Sequence, residues 1–187
     1  MDYENCYNQA RSRYNSACSD INYYENRANE LTNEKNARIS DLNAANAELV
    51  KYRTASSDLN GVISREESLT SSLNTVASDL DTASTNFGEM ADAPDSSSVN
   101  INDVFSDEMT QTRNTITNAI SEFRSKKTAV DNRISELESE VSSLNNRISE
   151  LEGSISTARS NAETMRGVRY NAYCDMEYYR KKMNEDS

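Results

Sequence analysis

From Tyr3 onward, apolar side chains return at alternating steps of three and four residues, and the phase holds for some eighty residues without a slip. Written as a heptad a–g, the d column reads Tyr3, Ala10, Ala17, Tyr24, Leu31, Arg38, Ala45, Tyr52, Leu59, Glu66, Leu73, Leu80, Phe87. The a column reads Tyr7, Tyr14, Ile21, Ala28, Lys35, Leu42, Leu49, Ser56, Ile63, Thr70, Ala77, Ser84. Strict 3-4 spacing over about twelve heptads is the pattern of a coiled-coil seam, because it keeps one narrow stripe of a helix facing a partner. Gly61 falls inside the run and costs about 1 kcal/mol of helix propensity, yet the register continues past it.

The pattern stops at Gly88. Residues 88–102 hold the chain's one proline, Pro94, the run Ser96-Ser97-Ser98 and three acids, and read as an acidic Pro/Ser loop. Asn102 followed by Asp103 suits an N-cap and first turn. A second heptad follows, with Met109, Ile116, Phe123, Val130, Leu137, Leu144, Leu151, Ala158, Met165, Ala172 and Tyr179 at d. Its a column includes Ile120, Lys127, Ile134, Val141, Ile148, Ile155, Ala162, Arg169, Met176 and Met183. A near-repeat, Asn132-Arg133-Ile134-Ser135-Glu136-Leu137-Glu138, recurs two heptads later as Asn146 to Glu152, which preserves the seam.

The expected layout is a first long helix over 1–87, a loop over 88–102 and a second long helix over 103–187, forming one elongated domain. At 1.5 Å per residue each helix would reach roughly 120 Å. A short tether raises the local concentration of one helix beside the other, so the expected fold is all-α, a long antiparallel two-helix coiled-coil hairpin. In such a pair, a faces d. Glu66 at d and Lys127 at a are then the natural core ion pair, since a lone charge in the seam is costly. That pairing also sets Tyr14 beside Tyr179 and Tyr24 beside Arg169.

Composition excludes several chemistries. Only 35% of residues are apolar, which a rod with a narrow buried stripe can tolerate and a globular core cannot. A net charge of −11 argues against nucleic acid as a partner. No apolar run approaches the roughly 18 residues of a membrane span, so no membrane insertion is expected. The start, Met1-Asp2-Tyr3-Glu4-Asn5, has no basic or apolar leader segment. The expected location is the cytoplasm, or outside it by a route that needs no cleaved signal.

With no histidine and no glycine-rich turn, no catalytic constellation, cofactor site or metal site emerges. Glu89-Met90-Ala91-Asp92 lacks the ligand spacing of a calcium loop. The cysteines, Cys6, Cys18 and Cys174, are odd in number. Cys18 and Cys174 come close in height, but at e and f positions that do not face each other.

Two segments stand out as partner surfaces. Between Glu66 and Thr112 there is no Lys or Arg, while Glu66, Glu67, Asp79, Asp81, Glu89, Asp92, Asp95, Asp103, Asp107 and Glu108 are acidic. This is a solvated face or a docking surface for a basic partner. Of the ten tyrosines only Tyr52 lies outside the first and last stretches of the chain. Tyr23, Tyr173 and Tyr178 fall off the seam, where exposed aromatic rings favour contact with another protein.

The acidic hairpin layout, the opening Asp2-Tyr3-Glu4 with Tyr7, Tyr14 and Cys18, and the Ile134-to-Ile155 heptads resemble small helical proteins of Gram-positive type VII secretion. The likeness is nearest to the hairpin accessory proteins encoded beside LXG toxins, which share a shape with the WXG family. No Trp-x-Gly stands at the turn, where Asn86-Phe87-Gly88 is the nearest segment. The family's Tyr-x-x-x-Asp/Glu tail signal is matched by Tyr173 and Glu177 near the end of the second helix. The resemblance implies a non-enzymatic adaptor that pairs with the helical N-terminal domain of an LXG toxin, with or without a second small helical protein. Tyr173 and Glu177 would then serve export recognition. The competing expectation is a structural coiled-coil spacer or a homodimeric stalk protein, because isoleucine and valine at a with leucine at d also suit parallel pairing.

Overall fold

The computed structural model describes residues 2–90 and 101–185. Two helices account for them, α1 (Tyr3–Met90) and α2 (Ile101–Glu185), and they pack against each other as an all-α, two-helix hairpin. Asp2 caps the start of α1, its carboxylate accepting a hydrogen bond from the Asn5 backbone N–H at 3.0 Å. Helix α1 runs past Phe87 to Met90, and α2 begins at Ile101, which places the expected cap Asn102 inside the helix. Residues 91–100, with Pro94 and the serine run of the expected loop, lie outside the described residues.

The helices form two compact units. The first combines Met1–Asn46 with Ser139–Ser187, and the second is Ala47–Glu138. In the first unit Arg13 bonds Asp175 and Lys35 bonds Glu152, so the chain rises in one helix as it falls in the other. In the second unit Arg53 reaches Glu138 and Arg124 reaches Glu67, with the same antiparallel sense.

Burial follows the 3-4 pattern. Nearly every described a and d side chain is buried or half-buried. Arg38 at d and Arg169 at a are exposed. Arg38 turns its guanidinium outward to Asp41 at 3.0 Å, which keeps the charge in water rather than in the seam. In the first unit the seam alternates small and large residues. Ala10, Ala17, Ala28, Ala158, Ala162 and Ala172 are buried, and Leu31, Leu151 and Ile155 form a tight cluster. Alanines such as Ala10 and Ala172 on one helix make room for larger side chains such as Met176 and Tyr14 on the other.

The buried core of the second unit comprises Leu49, Ile63, Ile120 and Leu137. Around it, Ser56, Glu66, Thr70, Arg113 and Lys127 occupy seam positions and are half-buried. This stretch therefore holds fewer closed apolar layers than its length allows.

Gly61 and Gly153 both occupy the outward f position, and a Cβ on either would meet no atom within 4 Å. Gly61→Ala and Gly153→Ala are expected to raise stability by about 1 kcal/mol each. The check is thermal unfolding followed by circular dichroism at 222 nm, where an unchanged or lower melting temperature would count against unhindered helix at these positions.

Candidate functional site

Two edges flank the seam, one lined by e positions of both helices and one by g positions. Both are laced by ion pairs. On the g edge Arg147 binds Glu34 at 2.7 Å and Arg133 binds Glu48 at 3.2 Å. Each arginine also holds the glutamate three residues on, Glu150 and Glu136. The two-heptad repeat in α2 is thus answered by an equal spacing of Glu34 and Glu48 in α1. On the e edge Arg166 joins Glu25 and Glu163, both at 2.6 Å. The hydrogen bond from Arg147, followed by the nearby charges of Arg147, Arg38 and Arg27, holds the Glu34 carboxyl below its ordinary range.

The expected Glu66–Lys127 core ion pair does not form. Lys127 bonds Asp131 on its own helix, and Asp131 also accepts a hydrogen bond from Ser56 at 2.7 Å. Those bonds, first Lys127 and then Ser56, lower the Asp131 pKa. With Ser56 at Asp131 and Glu67 at Arg124, Lys127 lies beside the Leu59–Ile63 turn, and Glu66 lies beside the Ile120–Arg124 turn. The helices are offset from the expected register by about one heptad, a slip that returns every a and d residue to the seam. Glu66 is left half-buried, with Oε2 buried and lacking a hydrogen-bond partner.

The same offset separates the other expected pairs. Arg13 at Asp175 and Glu25 at Arg166 carry Tyr14 away from Tyr179 and Tyr24 away from Arg169. Tyr24 instead meets Tyr23 edge to face at 5.2 Å, and Tyr179 meets Tyr178 at 5.3 Å. Cys6, Cys18 and Cys174 are free thiols.

Tyr23, Tyr173 and Tyr178 are exposed, at 64%, 50% and 55%. They do not form one patch. Tyr23 and Tyr178 are at c positions beside the g edge, whereas Tyr173 is at e on the other edge. There it is joined by Tyr170, which is 67% exposed at a b position. Tyr170 was legible from that position, three residues before Tyr173. Tyr173 and Glu177 are one helical turn apart, and Glu177 is held by Arg180 at 2.8 Å. Beside Tyr23 lies an open groove of about 600 Å³, lined by Tyr23, Tyr24, Leu31, Gly153 and Ala158 together with the polar or charged Arg27, Glu150, Ser154, Thr157 and Asn161.

In the second unit Val62, an apolar residue that flanks the seam in the sequence, belongs to a longer apolar column. From residue 55 the g positions of α1 turn apolar, as Ala55, Val62, Leu69, Val76 and Ala83. Leu69 and Val76 are half-exposed. Of the acids in the Glu66–Thr112 stretch, Glu67 is paired with Arg124, and Asp79, Asp107 and Glu108 are exposed. Asp92 and Asp95 lie outside the described residues.

Among the described residues, no group of His, Cys, Asp and Glu is placed to hold a metal ion. No helix among them is long and apolar enough to cross a membrane. No family model, curated protein or solved structure matches the chain.

Three outcomes follow from this electrostatic layout. A carboxyl whose pKa is depressed by folding stabilises the fold above its unfolded pKa, and that contribution disappears as pH falls through the folded value. Arg147→Gln should therefore lower the melting temperature at neutral pH, with the gap to the parent protein closing as pH drops below the carboxylate range. A gap that persists at acid pH would assign the loss to packing of the Arg147 stem. Glu66→Leu should raise stability by about 1 kcal/mol, because it replaces an unpaired carboxylate with an apolar side chain. Lys127→Glu should give Glu66→Lys no rescue, since the two residues do not meet. Melting curves of the three proteins check this, and a rescue would restore the heptad-shifted register.

Proposed function

We propose that this chain is a non-enzymatic adaptor. It pairs with the helical N-terminal domain of a type VII-secreted LXG toxin and presents that domain for export. The observation that carries the reading is the Tyr23 groove. Tyr23, Tyr24, Leu31 and Ala158 give it an aromatic and apolar part beside the polar Ser154, Thr157 and Asn161, a mixed surface that suits an added helix. The acidic two-helix layout with Tyr173 and Glu177 near the end of α2 supports the secretion context, by resemblance to the hairpin accessory proteins of that system. Tyr173 and Glu177 lie on one helical face and serve as the export signal in this reading. The chain acts in the cytoplasm before export, by a route without a cleaved signal.

The experiment is to tag the protein in its host, purify it gently, and identify what accompanies it in stoichiometric amount. The adaptor reading expects an LXG-type toxin. It further expects Tyr23→Ser, or Gly153→Gln, which adds a side chain to the groove lining, to cut recovery at least tenfold while leaving the helical circular dichroism signal unchanged. Tyr173→Ala with Glu177→Ala should leave the complex intact and block release of the toxin into the medium. Recovery of the chain alone, or only with itself, would favour the structural spacer or stalk and overturn this proposal.

A further inference from the structure

Among the described residues, two buried side-chain atoms lack a hydrogen-bond partner, Glu66 Oε2 and Arg113 Nε. They carry opposite charges, stand on opposite helices and belong to the seam of the same unit. Glu66 is at d and Arg113 at a, which face each other in an antiparallel pair. The register set by Ser56 at Asp131 and Glu67 at Arg124 holds them apart. It puts Glu66 opposite Ile120 and Arg113 opposite Leu73, one heptad or about 10 Å along the axis from meeting. Leu59 likewise lies opposite Lys127. Three layers of this unit therefore set a charge against an apolar side chain, and neither member of such a layer gains from the other.

Sliding α2 along α1 by one heptad re-sorts these layers, because the seam itself is indifferent to a seven-residue step. Glu66 then faces Arg113, Leu59 faces Ile120, and Ile63 faces Ile116. Lys127 comes over Tyr52, whose ring attracts a cation. On the edges Glu48 gains Lys126, and Arg53 exchanges Glu138 for Asp131. The Glu67–Arg124 pair is lost, and Arg124 moves nearer Arg53. A heptad step the other way offers Glu66 to Lys127, which Asp131 already binds, and leaves Arg113 opposite Leu80. In the first unit the step would break the Arg166–Glu25 pair, and no buried unpartnered atom among its described residues would be satisfied in return.

We propose that the second unit is a two-register device. Its minor register, one heptad from the register of the structure, pairs Glu66 with Arg113. The first unit keeps its register, so the heptad of α2 around Leu137 leaves the seam to take up the difference. Leu137 is fully buried in the structure, and losing that burial keeps the slipped register the minor one. A partner that grips the surface of the second unit in one register only would shift the balance, releasing or closing the Glu67–Arg124 pair. The device lies outside the Tyr23 groove and does not depend on the adaptor reading.

Cysteine trapping in the full chain tests this. A disulfide needs Cα atoms within about 7 Å, so a slide of about 10 Å decides which pair closes. The native thiols are first removed as Cys6→Ser, Cys18→Ser and Cys174→Ser. Ile63→Cys is then combined with Phe123→Cys for the register of the structure, with Ile116→Cys for the slipped one, or with Met109→Cys, which neither register brings close. Each protein is confirmed helical by circular dichroism and equilibrated in a glutathione redox buffer. The Phe123→Cys protein should close most fully. The Ile116→Cys protein should close to a smaller extent, yet at least tenfold above the Met109→Cys protein. Adding Glu66→Leu or Arg113→Leu to it should cut that closure at least tenfold, because each removes one member of the pair and relieves a mismatched layer of the other register. Closure no greater than with Met109→Cys would overturn the proposal. So would closure that both leucine variants leave unchanged, since fraying of the helices would then account for it.

Discussion

Helix α1 and helix α2 are held together by a stripe two positions wide in every seven, and everything else in the molecule is conditioned by how narrow that stripe is. A seam of this kind lets a chain with few apolar residues fold, because the remaining positions can stay in water. It also makes each layer count, since a layer has only one residue from each helix. In the first unit the layers close by matching size, with buried alanines such as Ala10, Ala17 and Ala172 beside larger half-buried residues such as Tyr14 and Met176. In the second unit several layers hold a polar or charged side chain, and burial is correspondingly partial.

The seam was legible in the sequence almost residue by residue, because the 3-4 rhythm directly states which face of each helix is buried. The register was not. Sliding one helix by seven residues returns every a and d residue to the seam, so periodicity is blind to the slip. A single attractive pair, Glu66 with Lys127, suggested one solution. The helices adopt another, in which Glu34 and Glu48 meet Arg147 and Arg133 while Ser56 meets Asp131. The deciding signal was present as an equal two-heptad spacing on both helices. It outweighs one core pair because several edge contacts form together, each modest alone.

The tyrosines were legible for the same reason as the seam. Tyr23, Tyr173 and Tyr178 fall at c or e, and those positions are open on a two-helix pair. Position alone did not show that Tyr173 stands on the opposite edge from Tyr23 and Tyr178, since that follows only once the antiparallel sense sets e against e and g against g. The apolar g column was overlooked for a different reason. A heptad scan searches for two apolar positions in seven, and a third column extending over only Ala55 to Ala83 leaves that pattern intact.

The two units therefore divide along a physical line. In the first, charged g positions such as Glu34 and Arg147 are used up by partners within the chain, and the surplus apolar surface consists of Val168 and, more exposed, tyrosines, whose hydroxyls tolerate water. In the second, Leu69 and Val76 have no such polar end, and Glu66 Oε2 and Arg113 Nε are both buried without partners. A chain optimised only for the stability of two helices would replace Glu66 with leucine and Leu69 with a polar residue, since each change removes a cost. Keeping the opposite arrangement is costly for the isolated hairpin, so the sequence of the second unit is not fitted to the two-helix contact alone.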